Sequence, residues 1–551
     1  MDRGSQSDTA SGAEEAGCAP VRSTALPPCV VFEDDDLLVV NKPTGWNTHA
    51  PSPYAGEGIY EWLRHREPRW SDLSILHRLD KETSGLMVFG KTPEANRSLA
   101  RQFEQRQVRK VYRMRTDRKS MRDEWTADSS IIRAGDRYVA RPRAAGMDPA
   151  ETRFRAVASG DDGTEWEVVP VTGRTHQIRV HAAEGGIPLL GDPLYGGTPA
   201  PRLHLAACRL SFAHPRTGET VGWSIDPEWA EDPRILLRRA VIVPGETDAF
   251  RCLNGGSDAG ARGLHLDAWG PFHLLYSDPE EGSPGWETPG RVCGLEVLNL
   301  YHRPLNRRVG KSVVGENDPK WVWGATAPES FNVRENGVRY EIRFDQGYSV
   351  GLFLDQRDNR RRLLTGHVAA GFPPMGPGRE VLNCFAYTCA FSVCAALAGA
   401  RTTSLDLSRK YLDWGRRNFS LNGLDPEGHG FVFGDVFDWM RRWAKRGRRF
   451  DTVLLDPPTF SRSKERGDFR AERDYGPLVE LATSVLNPGG MLFASTNAAR
   501  LEPETFLAQV RGGLARAGRR IVAEHWMPQP PDFPVSRDEP AYLKTVWLRL
   551  S

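Results

Sequence analysis

The sequence predicts a multidomain protein of the α/β and α+β classes. Its N-terminal part is predicted to form a mixed, mainly antiparallel β-sheet, and its C-terminal part a doubly wound parallel sheet. Strand signals dominate to about residue 228. Beyond residue 378, short apolar runs alternate with longer helical stretches, as in a parallel sheet covered by helices. A length of 551 residues also exceeds what one ordinary core holds.

The composition is that of a folded protein with a balanced charge. With 39% hydrophobic and 26% charged residues, the chain is neither mainly disordered nor fibrous. A formal net charge of +2 means that affinity for nucleic acid must come from local patches. The runs 101–122, 360–362 and 441–449 are rich in Lys and Arg and are candidate phosphate-binding segments.

The sequence further predicts a cytoplasmic location. Its eight cysteines form no C-x-x-C pair, so we expect neither a disulfide framework nor a metal site. Residues 1–27 lack the apolar core of a secretion signal and are predicted to be a disordered tail. The apolar stretch 383–400 includes polar residues and reads as strand, turn and helix, so no membrane span is expected. The sequence divides after this tail into three predicted units. They are the N-terminal domain at 28–228, a linker with a small β domain at 229–345, and the C-terminal domain at 346–551.

A carboxylate flanked by cations marks the N-terminal unit. Asp80 lies in HRLDKETSG, between two strand-like runs. A carboxylate in that setting could act as a nucleophile held ionised by a guanidinium, or it could be a solvated turn residue. Two other segments decide between these alternatives, KVY at 110–112 and TGRTHQIRVH at 172–181, the latter followed by GDPLYG at 191–196.

These motifs, in this order, resemble the RluA family of RNA pseudouridine synthases over about residues 28–228. The resemblance implies the fold of that family and conversion of uridine to pseudouridine without a cofactor. It also implies that Asp80 is the nucleophile, that Tyr112 stacks on the target base and that Arg179 is the charge partner of Asp80. The uridine must leave its stack to reach Asp80, and stacking on Tyr112 would offset part of the cost.

Polar residues follow the strands of the C-terminal unit. Asp406, Asp435 and Asp456 each end a predicted strand, and Phe385 to Thr388 follow the first one. Ligands of doubly wound sheets bind at these strand ends. Asp406 lies about 20 residues beyond the first strand, as does the acid that meets the ribose in nucleotide sites, but the G-x-G-x-x-G fingerprint is absent. We therefore expect a cofactor without a pyrophosphate.

From about residue 331 the chain resembles class I methyltransferases of the RlmI/RlmK ribosomal RNA group, which have a Rossmann-like fold. The motifs are GLFLDQRDNRR, LNCFAYTCAFS, the LDLSRKYLDW segment and LDPPTFSRSK. The resemblance implies S-adenosylmethionine as cofactor and RNA as partner. The residues that it implies for the cofactor site are Phe385, Tyr387, Thr388, Asp406, Asp435 and Asp456. Asp456, Pro457 and Pro458 would shape the target-base pocket, and Cys389 replaces the usual glycine of the group.

The atom that is methylated can be predicted from the cysteines. Enzymes that methylate cytosine C5 attack C6 with a thiolate, because C5 is a poor nucleophile. This chain has Thr459 after strand four and ASTN at 494–497 in strand five, the two places where that cysteine occurs. The missing cysteine argues against cytosine C5 and leaves a ring nitrogen or an amine, which needs no covalent step. DPPTFSRSK resembles the guanine-N7 branch of the group, and this resemblance implies a guanine nitrogen, with N7 first.

The sequence as a whole predicts a bifunctional RNA-modifying enzyme, with 23S ribosomal RNA as the leading substrate. Two alternatives remain open. One is a tRNA-modifying enzyme, and the other is an RNA chaperone or ribosome assembly factor in which one catalytic half has decayed. The sequence identifies no protein partner.

Overall fold

The computed structural model describes residues 25–144, 146–160, 163–278, 286, 289–305, 318–346, 349–373, 375–376, 379–463 and 467–551. Most of the predicted tail at 1–27 lies outside these residues. None of the helices in the described part of the chain combines the length and the apolar character that a membrane span requires.

The N-terminal part forms an eleven-stranded sheet in the order β1-β2-β4-β10-β5-β9-β8-β6-β7, with β3 beside β4 and β11 beside β10. Only β10 and β4 pair in parallel, so the predicted mixed, mainly antiparallel sheet is confirmed. Its elements are β1 (Val30–Glu33), β2 (Leu37–Lys42), α1 (Ile59–Arg64), β3 (Ser74–Ile75), β4 (Ser84–Gly90), α2 (Pro93–Glu104), β5 (Arg109–Thr116), β6 (Glu124–Ala134), β7 (Arg137–Arg141), β8 (Pro149–Gly160), β9 (Gly163–Pro170), α3 (Gln177–Glu184), β10 (Leu205–Ala213), β11 (Thr220–Ser224) and α4 (Pro233–Val241).

Local sequence signals account for the first elements. Strand β4 is buried at every position, which fits its central place in the sheet. Helix α2 begins after Thr92, whose hydroxyl accepts the Ala95 N–H, and Pro93 occupies the first helical position. These capping residues therefore set the start of α2.

The middle of the chain forms a five-stranded sheet, β12-β13-β14-β17-β18, and two-stranded ribbons. The elements are β12 (Ala249–Asn254), α5 (Gly255–Ala259), β13 (His265–Trp269), β14 (Phe272–Ser277), β15 (Arg291–Val292), β16 (Leu295–Glu296), β17 (Leu300–Pro304), β18 (Lys320–Trp323), β19 (Phe331–Glu335) and β20 (Val338–Ile342).

Packing relates this middle part to its neighbours. Trp269 and Phe272 share a buried core with Phe391 and Phe493 of the C-terminal part. Helix α4 packs instead into the core of the N-terminal sheet. The domain limits at 228 and 345 remain proposals, and this packing supports assigning α4 to the N-terminal unit.

The C-terminal part contains a seven-stranded sheet, β23-β22-β21-β24-β27-β29-β28, and the ribbon β25-β26. The first five strands are parallel, as predicted for this part of the chain, and β29 is antiparallel to both of its neighbours. The elements are α6 (Arg357–Thr365), β21 (Glu380–Cys384), α7 (Ala390–Leu397), β22 (Arg401–Asp406), α8 (Arg409–Leu421), β23 (Gly430–Phe433), α9 (Val436–Lys445), β24 (Phe450–Leu455), β25 (Phe460–Ser463), β26 (Gly467–Arg470), α10 (Ala471–Thr483), β27 (Leu486–Thr496), α11 (Pro503–Arg516), β28 (Ile521–Met527) and β29 (Lys544–Leu550).

The arginines of α6 join the three parts of the chain. Arg361 donates to the Arg66 carbonyl at 2.6 Å and pairs with Glu67 of the N-terminal part. Arg360 forms a double hydrogen bond with Glu335 of β19, at 2.6 Å for each bond. Both guanidiniums are buried, as is that of Arg362. The expectation that 360–362 binds phosphate is therefore wrong, because these guanidiniums are buried and form their hydrogen bonds inside the protein.

A second contact group at the same interface carries little charge. Glu57, His65 and His525 offer potential metal-ligand atoms within 4.8 Å of one another. Burial raises the pKa of Glu57 to about 8 and lowers the pKa of His65 to about 3. The His65 Nδ1 atom accepts the Ala370 N–H at 3.2 Å, and its ring packs edge-on against His525. At neutral pH the group is therefore a neutral packing contact between the N-terminal and C-terminal parts.

Asp532 is the acid on which the position of α6 depends. It is fully buried, accepts from Arg357 Nη1 at 2.8 Å and accepts the Arg251 N–H at 3.0 Å. Its backbone carbonyl accepts Arg238 Nη2 at 2.7 Å. One residue thus connects α4, β12 and α6.

We predict that Asp532→Ala lowers the free energy of unfolding by about 3–5 kcal/mol, because it leaves the buried Arg357 guanidinium without its counter-charge. Urea denaturation followed by tryptophan fluorescence measures the change. Asp538→Ala, at an exposed position in the same loop, is the matched control and should be nearly neutral. Equal midpoints for the two variants would contradict this role of Asp532.

Candidate active sites

The first candidate site is a cleft of about 860 Å³ in the N-terminal part, with Asp80 in its wall. Asp80 lies in the loop between β3 and β4, and its side chain is 30% exposed. The side chains of Tyr112 and Arg179 face the same cleft, so the structure brings the three sequence-predicted residues together. Their catalytic roles stay predictions.

Arg179 has a closer partner than the one that the sequence predicted. It lies in α3 and donates to both carboxylate oxygens of Asp192, at 2.6 and 2.7 Å. Its Nη1 atom lies 4.0 Å from Asp80 Oδ2. Asp192 is fully buried, so it fixes the guanidinium while Asp80 keeps an open face toward the cleft.

A histidine approaches the same oxygen of Asp80 as Arg179 does. His176 Nε2 is 4.0 Å from Asp80 Oδ2, and His176 Nδ1 hydrogen-bonds the Tyr195 hydroxyl at 2.8 Å. Burial lowers the pKa of His176, so the ring is mostly neutral at pH 7. Arg179 is therefore the permanent cation beside Asp80.

The loop that carries Asp80 is fixed from below by a buried lysine. Lys42 Nζ donates to the carbonyls of Pro43, Trp46 and Lys81, at 3.0, 2.7 and 3.1 Å. The Thr48 hydroxyl donates to the Leu79 carbonyl at 2.7 Å. These bonds make the loop rigid, which is what a positioned nucleophile requires.

Tyr112 is presented by β5. Its side chain is largely buried, and burial raises its pKa well above the usual value, so the phenol stays protonated. Lys110 lies on the same strand and lines the cleft, as does Arg106 just before it. Part of the predicted basic run at 101–122 therefore does reach this site.

The second candidate site lies where the strand order of the C-terminal sheet reverses, between β21 and β24. In the loop after β21, three residues other than glycine have a positive φ: Phe385 at 61°, Tyr387 at 48° and Cys389 at 63°. Such conformations cost roughly 1–3 kcal/mol each and are typical of functional sites. The left-handed φ of Cys389 explains why a glycine suits that position.

Asp406 holds this loop from the end of β22. Its Oδ2 atom accepts the Tyr387 N–H at 2.9 Å, and its Oδ1 atom accepts the Ser408 N–H at 2.8 Å. Burial raises its pKa, while these N–H donors work in the opposite direction. Asp406 is therefore placed at the predicted cofactor position, at the rim of the strained loop.

Two other predicted cofactor residues have structural contacts. The Thr388 hydroxyl is fully buried and donates to the Gly351 carbonyl at 2.6 Å. Asp435 caps α9 and accepts the N–H groups of Phe437 and Asp438, at 2.9 and 3.2 Å. Both residues lie at the predicted strand ends, and their part in binding stays a prediction.

Asp456 lies directly after β24. Gln356 Nε2 donates to its Oδ1 atom at 3.3 Å and to Ser495 Oγ at 2.8 Å. Burial raises the pKa of Asp456 to about 6. Of the two prolines that follow, Pro457 is buried and Pro458 is exposed. A carboxylate with a raised pKa thus lies beside the loop that carries the other predicted residues.

The two positions at which a cytosine-C5 enzyme has a cysteine are in contact. The Thr459 hydroxyl donates to Asn497 Oδ1 at 2.8 Å, joining the segments after β24 and β27. Cys384, Cys389 and Cys394 lie on the far side of the loop and are buried, which raises their pKa, to about 12 for the last two. The described cysteines nearest to this site are thus protonated thiols.

Three functional contacts were not predicted from the sequence. Asp192 lies in the GDPLYG motif, which we noted without giving that residue a role, and Gln356 lies in the LDQR motif. Ser495 carries no sequence signal of its own. Asp192 is 13 residues from Arg179, whereas Gln356 is 100 residues from Asp456 and 139 from Ser495, and the sequence gives no rule for any of these pairings.

We predict that Asp192→Asn lowers the turnover of the isomerase activity implied for this cleft by about 100-fold, because a misplaced Arg179 no longer faces the reacting groups. Release of tritium from RNA labelled at uridine C5 measures the rate. Asp148→Asn removes a carboxylate from the exposed Arg174 pair and is the control. A normal rate for Asp192→Asn would show that Arg179 needs no such support.

Comparisons with known proteins agree with this architecture. The profile of the family described as RNA pseudouridylate synthase matches residues 36–184, and that described as S-adenosylmethionine-dependent methyltransferase matches residues 310–549. A ribosomal RNA large subunit methyltransferase of Deinococcus radiodurans is 33% identical over 59% of this chain and 79% of that protein. Ribosomal RNA large subunit methyltransferase I of Aeromonas salmonicida is 34% identical over 59% of this chain and 83% of its own.

A solved methyltransferase complexed with SAH is also similar, with 28% identity and a TM-score of 0.49 over 62% of this chain and 87% of that one. The matched profiles and the relatives give S-adenosylmethionine as the cofactor of the C-terminal part and make the chain an enzyme of the isomerase and transferase types. The chain belongs to the S-adenosylmethionine-dependent methyltransferase family and carries an RNA pseudouridylate synthase domain ahead of the methyltransferase.

Proposed function

We propose that this chain modifies large-subunit (23S) ribosomal RNA at two nucleotides. Its N-terminal part converts a uridine to pseudouridine, and its C-terminal part methylates a guanine nitrogen, with N7 favoured. The observation that carries the proposal is the state of Asp80, whose carboxylate stays partly exposed in a cleft beside a guanidinium that another acid holds in place. The names of the relatives support ribosomal RNA as the substrate.

The isomerisation needs a nucleophile and no cofactor. The bond between uracil N1 and C1′ of the ribose breaks, the base turns, and C5 bonds to C1′ while C5 loses a proton and N1 gains one. Asp80 assists the cleavage as an anion, and the Arg179 guanidinium lies 4.0 Å from it as its positively charged neighbour. Tyr112 stacks on the extruded base and offsets part of the unstacking cost of a few kcal/mol.

The methylation proceeds without a covalent adduct in this proposal. When bound, S-adenosylmethionine supplies the methyl group, and Phe385, Tyr387, Thr388, Asp406 and Asp435 form its site. The lone pair of guanine N7 can attack a methyl group directly, which leaves a positive charge on the base. Asp456, next to Pro457 and Pro458, provides a negative charge that stabilises this cation when the carboxyl is ionised. Thr459 cannot replace a thiolate, and the buried thiols are protonated.

The test of the two activities uses Asp80→Asn in the full chain. We expect pseudouridine formation on unmodified 23S ribosomal RNA to fall to under a few per cent, because an amide cannot supply the anion. Methyl transfer to the same RNA should be retained, which also controls for folding. Nucleoside mass spectrometry measures both products. Pseudouridine formed at the normal rate would remove Asp80 from the mechanism, and its absence with the parent protein would contradict the isomerase assignment.

The methylation rate should depend on the ionisation of Asp456. The raised pKa of about 6 means that the carboxylate is lost as the pH falls through 6. We predict that kcat/KM falls about tenfold per pH unit below 6 and is flat above 7. Asp456→Asn should be slow at every pH, whereas Asp413→Asn, at an exposed position, should keep the parent profile. A parent rate that does not change between pH 5 and 7 would contradict this role.

Methylation of a guanine nitrogen, as opposed to cytosine C5, can be tested with a substrate analogue that forms a covalent adduct with thiolate enzymes. RNA that contains 5-fluorocytidine captures enzymes that attack C6 with a thiolate, so we predict no adduct with this protein on denaturing gels. Joint replacement of Cys384, Cys389 and Cys394 by alanine should leave some turnover if the fold survives. An adduct, or 5-methylcytidine as the product, would refute the nitrogen assignment.

A further inference from the structure

The sheet of the methyltransferase part has a second edge, opposite the one that carries Asp406 and Asp456. The parallel strands begin there, and β29 ends there. Backbone hydrogen bonds tie this edge together, including Arg401 N–H to the Arg379 carbonyl at 2.8 Å and Ser551 N–H to the Arg520 carbonyl at 2.9 Å. We call this surface the basic edge, because six arginines with exposed or half-buried side chains lie on it: Arg379, Arg401, Arg448, Arg449, Arg519 and Arg520. Arg549 lies at the same edge, but it is buried and donates to the Gly489 and Pro373 carbonyls.

These arginines come from separate strands and loops, so a sequence run does not reveal them as a group. Arg401 begins β22, Arg449 precedes β24 and Arg520 precedes β28. All three are exposed. Arg448 is also exposed, and its guanidinium packs against the rings of Trp443 and Phe450 at 5.2 and 4.8 Å, which limits its motion.

Two carboxylates belong to the same edge, and neither offsets the excess of positive charge. Glu380 makes long ion pairs with Arg401 at 3.7 Å and with Arg448 at 3.9 Å. The oxygens of Asp451 accept the Glu380 N–H at 3.0 Å and Asn487 Nδ2 at 2.8 Å. Burial lowers the pKa of both Arg519 and Arg549. The charge of Arg449 lowers the pKa of Arg519 further, and that of Arg379 does the same for Arg549. The cations are thus close enough to repel one another.

An array of this kind fits a polyanion. Neighbouring strands lie about 4.8 Å apart, so the six strands from β22 to β28 spread the charges over about 24 Å. A single phosphate would use one or two of the guanidiniums, whereas a nucleic-acid backbone carries a charge every few ångströms and can engage several at once. With a net charge of only +2 for the whole chain, this local excess is a distinctive surface.

We propose that the basic edge binds the phosphate backbone of the substrate RNA, at a part of the RNA remote from the methylated base. The proposal rests on the proposed RNA-modifying function and adds to it a second contact region. Strands of five or six residues rise about 3.3 Å per residue, which separates the two edges by about 17–20 Å. The substrate must therefore be a folded RNA large enough to reach around the domain.

The experiment compares the parent full-length protein with the triple variant Arg401→Gln, Arg449→Gln, Arg520→Gln. The RNA is a protein-free, unmodified transcript of 23S ribosomal RNA, and filter binding gives the Kd over a range of salt. We expect the triple variant to bind at least about fivefold more weakly near 0.1 M salt. The slope of log K against log salt should become shallower by about two to three, since three phosphate contacts are lost.

Kinetics separate this role from catalysis. The KM for the transcript should rise with the Kd, while kcat for methyl transfer at saturating RNA stays at the parent value. Calorimetric affinity for S-adenosylmethionine should not change, which controls for folding. The matched control, Arg97→Gln, Arg216→Gln, Arg239→Gln, removes three exposed charges from the N-terminal part and should change Kd by less than about twofold.

Equal losses of affinity in the two triple variants would overturn the proposal, because they would report net charge and not this surface. Parent-like affinity in the basic-edge variant, or a fall in kcat at unchanged Kd, would overturn it as well. The comparison of Kd values between the two triple variants does not depend on catalytic turnover. If the parent protein binds the transcript without modifying it, the proposed function is contradicted. The Kd values of the two triple variants would still test the basic edge.

Discussion

The burial of the α6 guanidiniums is the constraint on which the arrangement of the molecule depends. A buried guanidinium must be paired, because leaving such a charge without a partner costs several kcal/mol. The partners come from all three parts of the chain: Glu67 from the N-terminal part, Glu335 from the middle and Asp532 from the C-terminal part. Pairing the α6 guanidiniums with these carboxylates therefore requires the three parts of the chain to meet around one short helix.

The same helix connects this interface to the methyltransferase chemistry. Gln356 immediately precedes α6, and its amide donates to both Asp456 and Ser495. The side chain of Asn359, one turn further on, donates to the side-chain Oε1 atom of Gln356 at 2.9 Å and accepts from Trp547 Nε1 at 2.9 Å. Within the same helix, Asp358 accepts from Trp62 Nε1 of the N-terminal part at 3.1 Å. The packing of the two catalytic parts and the placement of the Asp456 carboxyl thus share one element.

The two sites use different means to hold their carboxylates. In the N-terminal cleft, Asp80 is left partly exposed, while Asp192 restrains the cation beside it. In the C-terminal site, Asp406 bonds the backbone of a loop in which Phe385, Tyr387 and Cys389 have positive φ. That strain is a stability cost, and the hydrogen bonds to Asp406 offset part of it. Each site therefore depends on contacts with residues that do not react.

The sequence by itself determined both folds and the identity of the predicted site residues. Apolar runs that alternate with helices, and caps such as Thr92 before α2, are local signals, because secondary structure follows from neighbouring residues. The motifs around Asp80, Arg179 and Asp456 likewise lie in short segments. Only the tertiary structure decided which charges meet. Arg360 to Arg362 form a basic run in sequence yet are buried, with Arg360 and Arg361 paired to acids and Arg362 bonded to backbone carbonyls, whereas Arg401, Arg449 and Arg520 are far apart in sequence and lie on one edge of the sheet. The pairing of Arg179 with Asp192 was settled in the same way, because ion pairs depend on distance in space and not on separation along the chain.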